Sequence, residues 1–269
     1  MQYVTNDGVT IDYDRLGEGE PVLFIHGWAS SASTFSKQLS YLCDDFLLLA
    51  PDLRGHGRSA KVTRGGRISR LAMDLHELLE HEGLERVSLV GWSMGCSVIW
   101  NYIDLFGEGR INKLVFIDEI PFVLGTSSMM TDWSDAELDV RPLTNLYKRF
   151  IPELTRETES ANFISSMLKT ASPSEREEVI ATAKLASSFS AVNMIINNNV
   201  TDWRDLFKHI KSPTLLVSGS ASFFRPEFYE WMGQQISDCR IVTKEGAGHF
   251  LHLEEAEWLN PILLDFLGG

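Results

Sequence analysis

Short apolar segments recur along the chain and mark the strands of a predicted sheet. They are rich in Val, Ile, Leu and Phe and lie at residues 22–25, 46–50, 86–90, 113–117 and 213–219. Runs of this length and composition are typical of strands that are buried on both faces of a parallel sheet. Asn6-Asp7-Gly8 is a strong turn signal and predicts a hairpin over residues 2–13. Residues 240–243 are predicted to form the last strand.

Segments with helical spacing lie between these strands. Residues 68–82 are amphipathic, with four leucines on one predicted face: Leu71, Leu75, Leu78 and Leu79. Further helices are predicted at residues 31–43, 96–103 and 258–267. Strands that alternate with helices predict the α/β class, here a mostly parallel eight-stranded sheet with helices on both faces.

The pattern changes after the sixth predicted strand. Residues 122–210 are helical and irregular in pattern, and they are rich in Ser, Thr, Asn, Met and aromatic residues. Because this segment lies between two strands of one sheet, it is predicted to be a helical cap inserted over the strand ends. Residues 1–121 and 211–269 then form the core domain. The run Asn197-Asn198-Asn199 is interpreted as a polar stop.

Composition and charge narrow the possible partners. The 269 residues carry a formal net charge of -13, which argues against binding to nucleic acid or to an anionic membrane surface. The sequence contains only three cysteines, without metal-ligand spacing, and no evident secretion signal or membrane-spanning run. A cytoplasmic protein is therefore expected, and its oligomeric state stays open.

The pentapeptide Gly91-Trp92-Ser93-Met94-Gly95 fits Gly-x-Ser-x-Gly, the nucleophile elbow. It lies between a predicted buried strand and a predicted helix, as that motif requires. Glycines two residues before and two residues after the serine remove side chains that would collide in so sharp a turn. The turn would expose the Ser93 hydroxyl beside a helix N-terminus, so Ser93 is the candidate nucleophile.

A serine nucleophile needs a base and donors for an oxyanion. His249 follows Gly246-Ala247-Gly248, which would let it reach another loop, and it is the predicted base. The backbone N–H groups of Trp28 and Met94 are the predicted oxyanion hole. His26 is interpreted as a buried brace. No metal or cofactor is predicted, because the histidines lie on separate loops without ligand spacing.

Four segments together resemble the α/β-hydrolase superfamily over nearly the whole chain. They are His26-Gly27-Trp28, Asp52-Leu53-Arg54-Gly55-His56-Gly57-Arg58-Ser59, Gly91-Trp92-Ser93-Met94-Gly95 and Gly246-Ala247-Gly248-His249. The chain is similar to the small serine esterases, the non-haem chloroperoxidase-like perhydrolases and the lactonases. This resemblance implies the α/β-hydrolase fold and a small ester, thioester or lactone substrate. The chain also resembles the esterases that cleave pimeloyl-carrier-protein methyl ester. This second resemblance adds a carrier-protein-bound acyl group to the candidate substrates.

The position of the triad acid departs from most of the superfamily. The resemblance places the acid about three residues after the glycine that ends strand seven, and that position holds Ser222. Asp118, at the end of strand six, is the predicted acid, because some members of the superfamily carry it there. Glu119 and Glu227 remain alternatives.

The sequence thus predicts a serine hydrolase that uses Ser93, His249 and Asp118 and acts in an apolar substrate pocket. That pocket is predicted to be lined by Trp28, Phe122, Trp133 and Phe224. Two other functions stay open. One is a cofactor-independent dioxygenase of the same fold, suggested by the acid on strand six. The other is a ligand-sensing protein with a vestigial triad, suggested by the missing acid on strand seven.

Overall fold

A computed structural model describes residues 1–123, 156–186 and 189–269. Within these ranges the chain forms one sheet of eight strands, in the order β1-β2-β4-β3-β5-β6-β7-β8. The strands are β1 (Gln2–Val4), β2 (Thr10–Leu16), β3 (Glu20–Ile25), β4 (Phe46–Pro51), β5 (Val87–Trp92), β6 (Ile111–Ile117), β7 (Thr214–Gly219) and β8 (Cys239–Lys244). The predicted fold class is confirmed.

Strand direction places the ends of six neighbouring strands at one edge of the sheet. β1 pairs with β2 and β2 with β4 in antiparallel fashion, whereas all other neighbours are parallel. The strands from β3 to β8 therefore all end on the same side. Ligand sites of open α/β sheets lie beyond these carboxyl ends, so residues that follow these strands are brought together there.

Ten α-helices lie within the described residues. They are α1 (Ser36–Leu42), α2 (Ile68–His81), α3 (Met94–Phe106), α4 (Arg156–Met167), α5 (Pro173–Leu185), α6 (Phe189–Val200), α7 (Arg204–Phe207), α8 (Pro226–Gln235), α9 (Leu251–Glu254) and α10 (Ala256–Gly268). Two of the helix pairs that pack against each other are α2 with α3 and α1 with α10. The leucines Leu71, Leu75, Leu78 and Leu79 of α2 are all buried, as their spacing predicts.

The helices α4 to α7 lie between β6 and β7, so the described part of this segment is largely helical, as expected. Glu254 ties this segment to the core, because its Oε1 atom accepts hydrogen bonds from the backbone N–H groups of Lys169, Thr170 and Ala171 at 2.6–2.8 Å. Lys37 on α1 also forms an ion pair with Glu175 on α5. The division into a core of residues 1–121 and 211–269 and a cap of residues 122–210 stays a proposal.

Two local predictions differ from the structure. The predicted helix over residues 31–43 is a 3₁₀ turn (Ala32–Phe35) followed by α1, and the Ser31 side chain caps the turn. The asparagines Asn197 to Asn199 lie inside α6 and do not end an element. Among the described residues, no helix combines the length and the apolar composition needed to cross a bilayer.

Candidate active site

Ser93 occupies a strained turn between β5 and α3. Its backbone has φ 53° and ψ -132°, a combination that residues other than glycine rarely adopt. The turn fits only because its flanking glycines are small. A Cβ atom on Gly91 would lie 2.8 Å from the backbone nitrogen of Cys96, and one on Gly95 would lie 2.1 Å from the carbonyl oxygen of Ile25. The predicted elbow geometry is therefore present in the structure.

We expect Gly95→Ala to destabilise the protein and to lower its activity, because the added methyl group overlaps the end of β3. The loss in the free energy of unfolding should be on the order of 2 kcal/mol, typical of overpacking in a buried position. Chemical denaturation and ester hydrolysis measure the two effects. Gly109→Ala is the matched control, because a Cβ atom there meets nothing within 4 Å. Equal stability of both variants would contradict the prediction.

The ring of His249 lies between Ser93 and Asp118. Its Nε2 atom is 2.9 Å from the Ser93 Oγ atom, and its Nδ1 atom is 2.6 Å from the Asp118 Oδ2 atom. Asp118 is fully buried and His249 is nearly so, whereas Ser93 is half-buried. The indole N–H of Trp92 donates to the carbonyl oxygen of His249 at 2.8 Å, which fixes the histidine loop against the elbow strand.

Asp118 is surrounded by hydrogen-bond donors. In addition to His249, the Ser222 hydroxyl and the Tyr229 hydroxyl donate to its carboxylate, the latter at 3.1 Å. The Gly219 backbone N–H lies 3.4 Å from Oδ1. Ser222 thus stands where most of the superfamily carries the acid, and here its hydroxyl contacts the acid on the neighbouring strand. Sequence reasoning missed Tyr229, for which the pattern of α8 gives no signal.

The two rival carboxyls do not contact His249 in the described structure. Glu119 has other partners: its Oε1 atom accepts from the Ile120 backbone N–H at 2.9 Å, and its Oε2 atom lies 3.5 Å from the Asn198 Nδ2 atom. Burial raises the pKa of Glu119 from the ordinary 4.5 to about 8. Glu227 is exposed at the start of α8.

The raised pKa of Glu119 predicts a pH-dependent stability. Between pH 4.5 and about pH 8 the folded chain keeps a proton that the unfolded chain loses, so stability falls as the pH rises across this window. Glu119→Gln has no proton to lose. We expect the stability of this variant relative to the wild type to rise by on the order of 4 kcal/mol between about pH 5 and about pH 8. Denaturation at both values measures the effect, with Glu227→Gln as the control.

A stability difference between Glu119→Gln and the wild type that stays constant over this pH range would contradict the assignment of a proton to Glu119. The same would follow from a difference that moves in the opposite direction.

The loop after β3 contacts the elbow. A Cβ atom on Gly27 would lie 3.0 Å from the Ser93 Cβ atom, so this backbone passes directly beside the serine. The loop is braced from behind, because the Nε2 atom of buried His26 accepts from the Leu53 backbone N–H at 3.0 Å. Trp28 follows Gly27, and Met94 follows Ser93, and both are buried. Their assignment as oxyanion donors stays a proposal.

An apolar pocket opens beside Ser93 and His249. Its lining includes two of the predicted residues, Trp28 and Phe224, together with unpredicted ones that include Val123, Met167, Ile195 and Phe223. Phe122 is not part of this wall. It is buried, with the guanidinium of Arg204 4.6 Å from its ring centre, so its predicted lining role needs correction. Trp133 lies outside the described residues.

Within the described residues, no group of three or more His, Cys, Asp or Glu side chains is placed to hold a metal ion.

Comparison with known proteins places the chain in a family. The model of the alpha/beta hydrolase family matches residues 22–262. A non-heme chloroperoxidase from Kitasatospora aureofaciens is 28% identical, and 98% of each chain is covered. A bifunctional esterase/perhydrolase from Acinetobacter calcoaceticus is 27% identical, with 99% of each chain covered. The crystal structure of a bromoperoxidase from Bacillus anthracis superposes with a TM-score of 0.87 at 26% identity, over 100% of both chains.

The sheet order, the strained serine turn and the matched segment agree with one another. The family match covers all strands that end at the site, from β3 to β8, and every residue described around Ser93. This chain belongs to the α/β-hydrolase family.

Proposed function

We propose that the protein is a serine hydrolase that cleaves a small carboxylic ester, thioester or lactone through an acyl-enzyme on Ser93. One observation carries the proposal: hydrogen bonds link Ser93 to His249 at 2.9 Å and His249 to Asp118 at 2.6 Å. A serine hydroxyl, a base and a buried carboxylate in this order are the parts that acyl transfer requires.

In the proposed reaction, the His249 Nε2 atom takes the proton of the Ser93 hydroxyl while the Oγ atom attacks the substrate carbonyl. The backbone N–H groups of Met94 and Trp28 would then stabilise the tetrahedral oxyanion, each by on the order of 3 kcal/mol. His249 returns the proton to the leaving alcohol, thiol or ring oxygen. A water molecule repeats these steps on the acyl-enzyme and releases the acid.

Asp118 would hold the histidine in the productive tautomer. Its carboxylate accepts from Nδ1, so that Nε2 carries the lone pair that faces Ser93. The hydroxyls of Ser222 and Tyr229 fix the carboxylate in turn. These contacts support Asp118 over Glu119 and Glu227 as the acid of the triad.

The pocket supports a small, mainly apolar substrate. Its volume is about 100 Å³, and its wall is mostly aromatic and aliphatic. Hydrolysis of p-nitrophenyl butyrate by the wild type and by Ser93→Ala tests the proposal. Turnover that depends on Ser93 supports it, and turnover that survives the substitution overturns it.

Perhydrolysis is a second candidate activity. It is favoured by the 27% identity to the bifunctional esterase/perhydrolase over 99% of both chains. In this reaction hydrogen peroxide, in place of water, would attack the acyl-enzyme, giving a peracid and free Ser93. Peracid formation from an acetate ester and hydrogen peroxide measures it directly.

Two further functions are separated from ester hydrolysis by oxygen uptake and by ligand binding, each compared between the wild type and Ser93→Ala. A cofactor-independent dioxygenase would consume oxygen with a hydroxyquinolone, through His249 and Asp118, and would keep reduced activity in Ser93→Ala. A ligand-sensing protein would bind small molecules without Ser93-dependent turnover.

A further inference from the structure

Two buried polar side chains interrupt the apolar wall of the pocket beside Ser93. Glu119 is 2% exposed and Asn198 is 3% exposed, and both line the cavity that also contains Ser93 and His249. Glu119 directly follows Asp118 at the end of β6, whereas Asn198 comes from α6 in the segment between β6 and β7. The pair thus joins the sheet edge to the helices above it.

The polar atoms of Glu119 and Asn198 are not all paired in hydrogen bonds. Oε1 of Glu119 accepts from the Ile120 backbone N–H at 2.9 Å, but Oε2 has only a long contact, at 3.5 Å, with the Asn198 Nδ2 atom among the described residues. That Nδ2 atom lies 3.4 Å from the Asn199 Oδ1 atom. The Oδ1 atom of Asn198 is buried and has no partner among the described residues. Buried polar atoms are normally paired, so unpaired ones beside an active site indicate a ligand group.

The charge around this pair excludes an anion. No lysine or arginine is among the described residues that line the pocket. The titratable groups nearest to Glu119 are Asp118 on β6, Cys96 on α3 and Tyr229 on α8, with His249 across the cavity. Because burial raises the pKa of Glu119 to about 8, its carboxyl is protonated at neutral pH and is a hydrogen-bond donor.

Two cavities beside His249 offer separate room for a leaving group and an acyl chain. A second cavity beside His249 is lined by Ser166, Lys169, Ser222 and Phe223, but Ser93 is not part of it. The leaving group takes its proton from His249, so this second cavity suits it. The acyl chain remains bonded to Ser93 and therefore lies in the first cavity, toward Glu119 and Asn198.

We propose that Glu119 and Asn198 form a specificity-determining subsite for an uncharged hydroxyl or carbonyl oxygen on the acyl chain of the substrate. The inference rests on the proposed hydrolase function. The Glu119 carboxyl donates to that oxygen, and the Asn198 amide donates to a carbonyl or accepts from a hydroxyl. Purely aliphatic acyl chains leave the polar atoms of the pair without a partner, and anionic chains meet no lysine or arginine among the described residues that line the pocket.

The test compares four methyl esters of similar size. Methyl 3-hydroxypentanoate and methyl 4-oxopentanoate carry the oxygen, methyl pentanoate lacks it, and monomethyl glutarate carries a carboxylate. In the wild type, we expect kcat/KM for at least one oxygenated ester to exceed that for methyl pentanoate by about tenfold, in line with one buried hydrogen bond. Monomethyl glutarate is expected to be the poorest substrate.

Variants assign this preference to the pair. Glu119→Met and Asn198→Leu are near in size and apolar, and each should bring the ratio of oxygenated to plain ester close to one. Glu119→Gln keeps an N–H donor and should retain part of the preference. Glu227→Gln removes an exposed carboxyl and should keep the full ratio. Because both esters are measured on the same variant, a smaller fraction of folded protein lowers both kcat/KM values equally and leaves their ratio unchanged.

Ligand binding to Ser93→Ala separates the two proposals. Titration of this variant with the same esters gives Kd without turnover. Selective binding of an oxygenated ester supports the subsite, even if the wild type hydrolyses none of the esters and the hydrolase proposal falls. Ester hydrolysis with equal kcat/KM for oxygenated and plain chains overturns the subsite alone. A preference that survives both Glu119→Met and Asn198→Leu also overturns it.

Discussion

Ser93→Ala is expected to lower kcat for p-nitrophenyl butyrate by at least about 10⁴-fold, the scale of losing the nucleophile of a Ser-His-Asp site. The substitution removes the Oγ atom of Ser93, which forms the hydrogen bond to His249 at 2.9 Å. The rest of the site stays in place, because the backbone of residue 93 is held by its own N–H bond to the Ile117 carbonyl oxygen. KM should therefore change much less than kcat.

Ser97→Ala is the matched control for this loss. Ser97 is a buried serine on the same helix, α3, and its hydroxyl lies outside the contacts described around His249. Its activity should stay near that of the wild type. A Ser93→Ala variant that keeps more than about a tenth of the wild-type kcat would contradict the assignment of Ser93 as nucleophile.

Asp118→Asn is expected to reduce kcat by on the order of 10⁴-fold, the cost of an amide in place of the triad carboxylate. Asp118 accepts from His249, Ser222 and Tyr229. An amide nitrogen placed among these donors has no acceptor, so the ring of His249 loses its preferred tautomer. The steady-state rate with p-nitrophenyl butyrate measures the loss, and Glu227→Gln should show none.

Rescue by a second substitution sharpens this prediction. The hydroxyl of Ser222 donates to the same Oδ2 atom of Asp118 that His249 contacts, so a carboxylate at position 222 starts near the histidine. Adding Ser222→Asp to Asp118→Asn should recover at least about tenfold in kcat. A fully active Asp118→Asn single variant would remove Asp118 from the triad.

The features that depend on local sequence were predictable. Apolar runs identified the strands of the sheet, and Gly-x-Ser-x-Gly identified the turn at Ser93 because its steric demands are met within five residues. Asp118 could be proposed only through the position of strand six in the fold. Its contact with His249 joins residues that are 131 positions apart in the chain, and no periodic pattern encodes such a pairing.

The pocket was harder to predict because it is built from the inserted helices. In the sequence Asn198 belongs to a polar run, but in the structure it is buried beside Glu119. Phe122 has the composition of a lining residue, but Arg204 packs against its ring. Side-chain direction in such a segment is decided by packing against the sheet edge, which local propensity does not contain. Burial of Glu119, and with it the raised pKa, follows only from the assembled structure.

The most direct test of the account is the covalent state of Ser93 after reaction with diethyl p-nitrophenyl phosphate, read by mass spectrometry of the intact chain and of its peptides. This reagent transfers one diethylphosphoryl group to an activated serine and releases p-nitrophenol. The account predicts a single adduct per chain, located on Ser93, with complete loss of esterase activity and no labelling of Ser93→Ala. Esterase activity that persists with Ser93 fully labelled, or inactivation with the adduct on another residue, would contradict it.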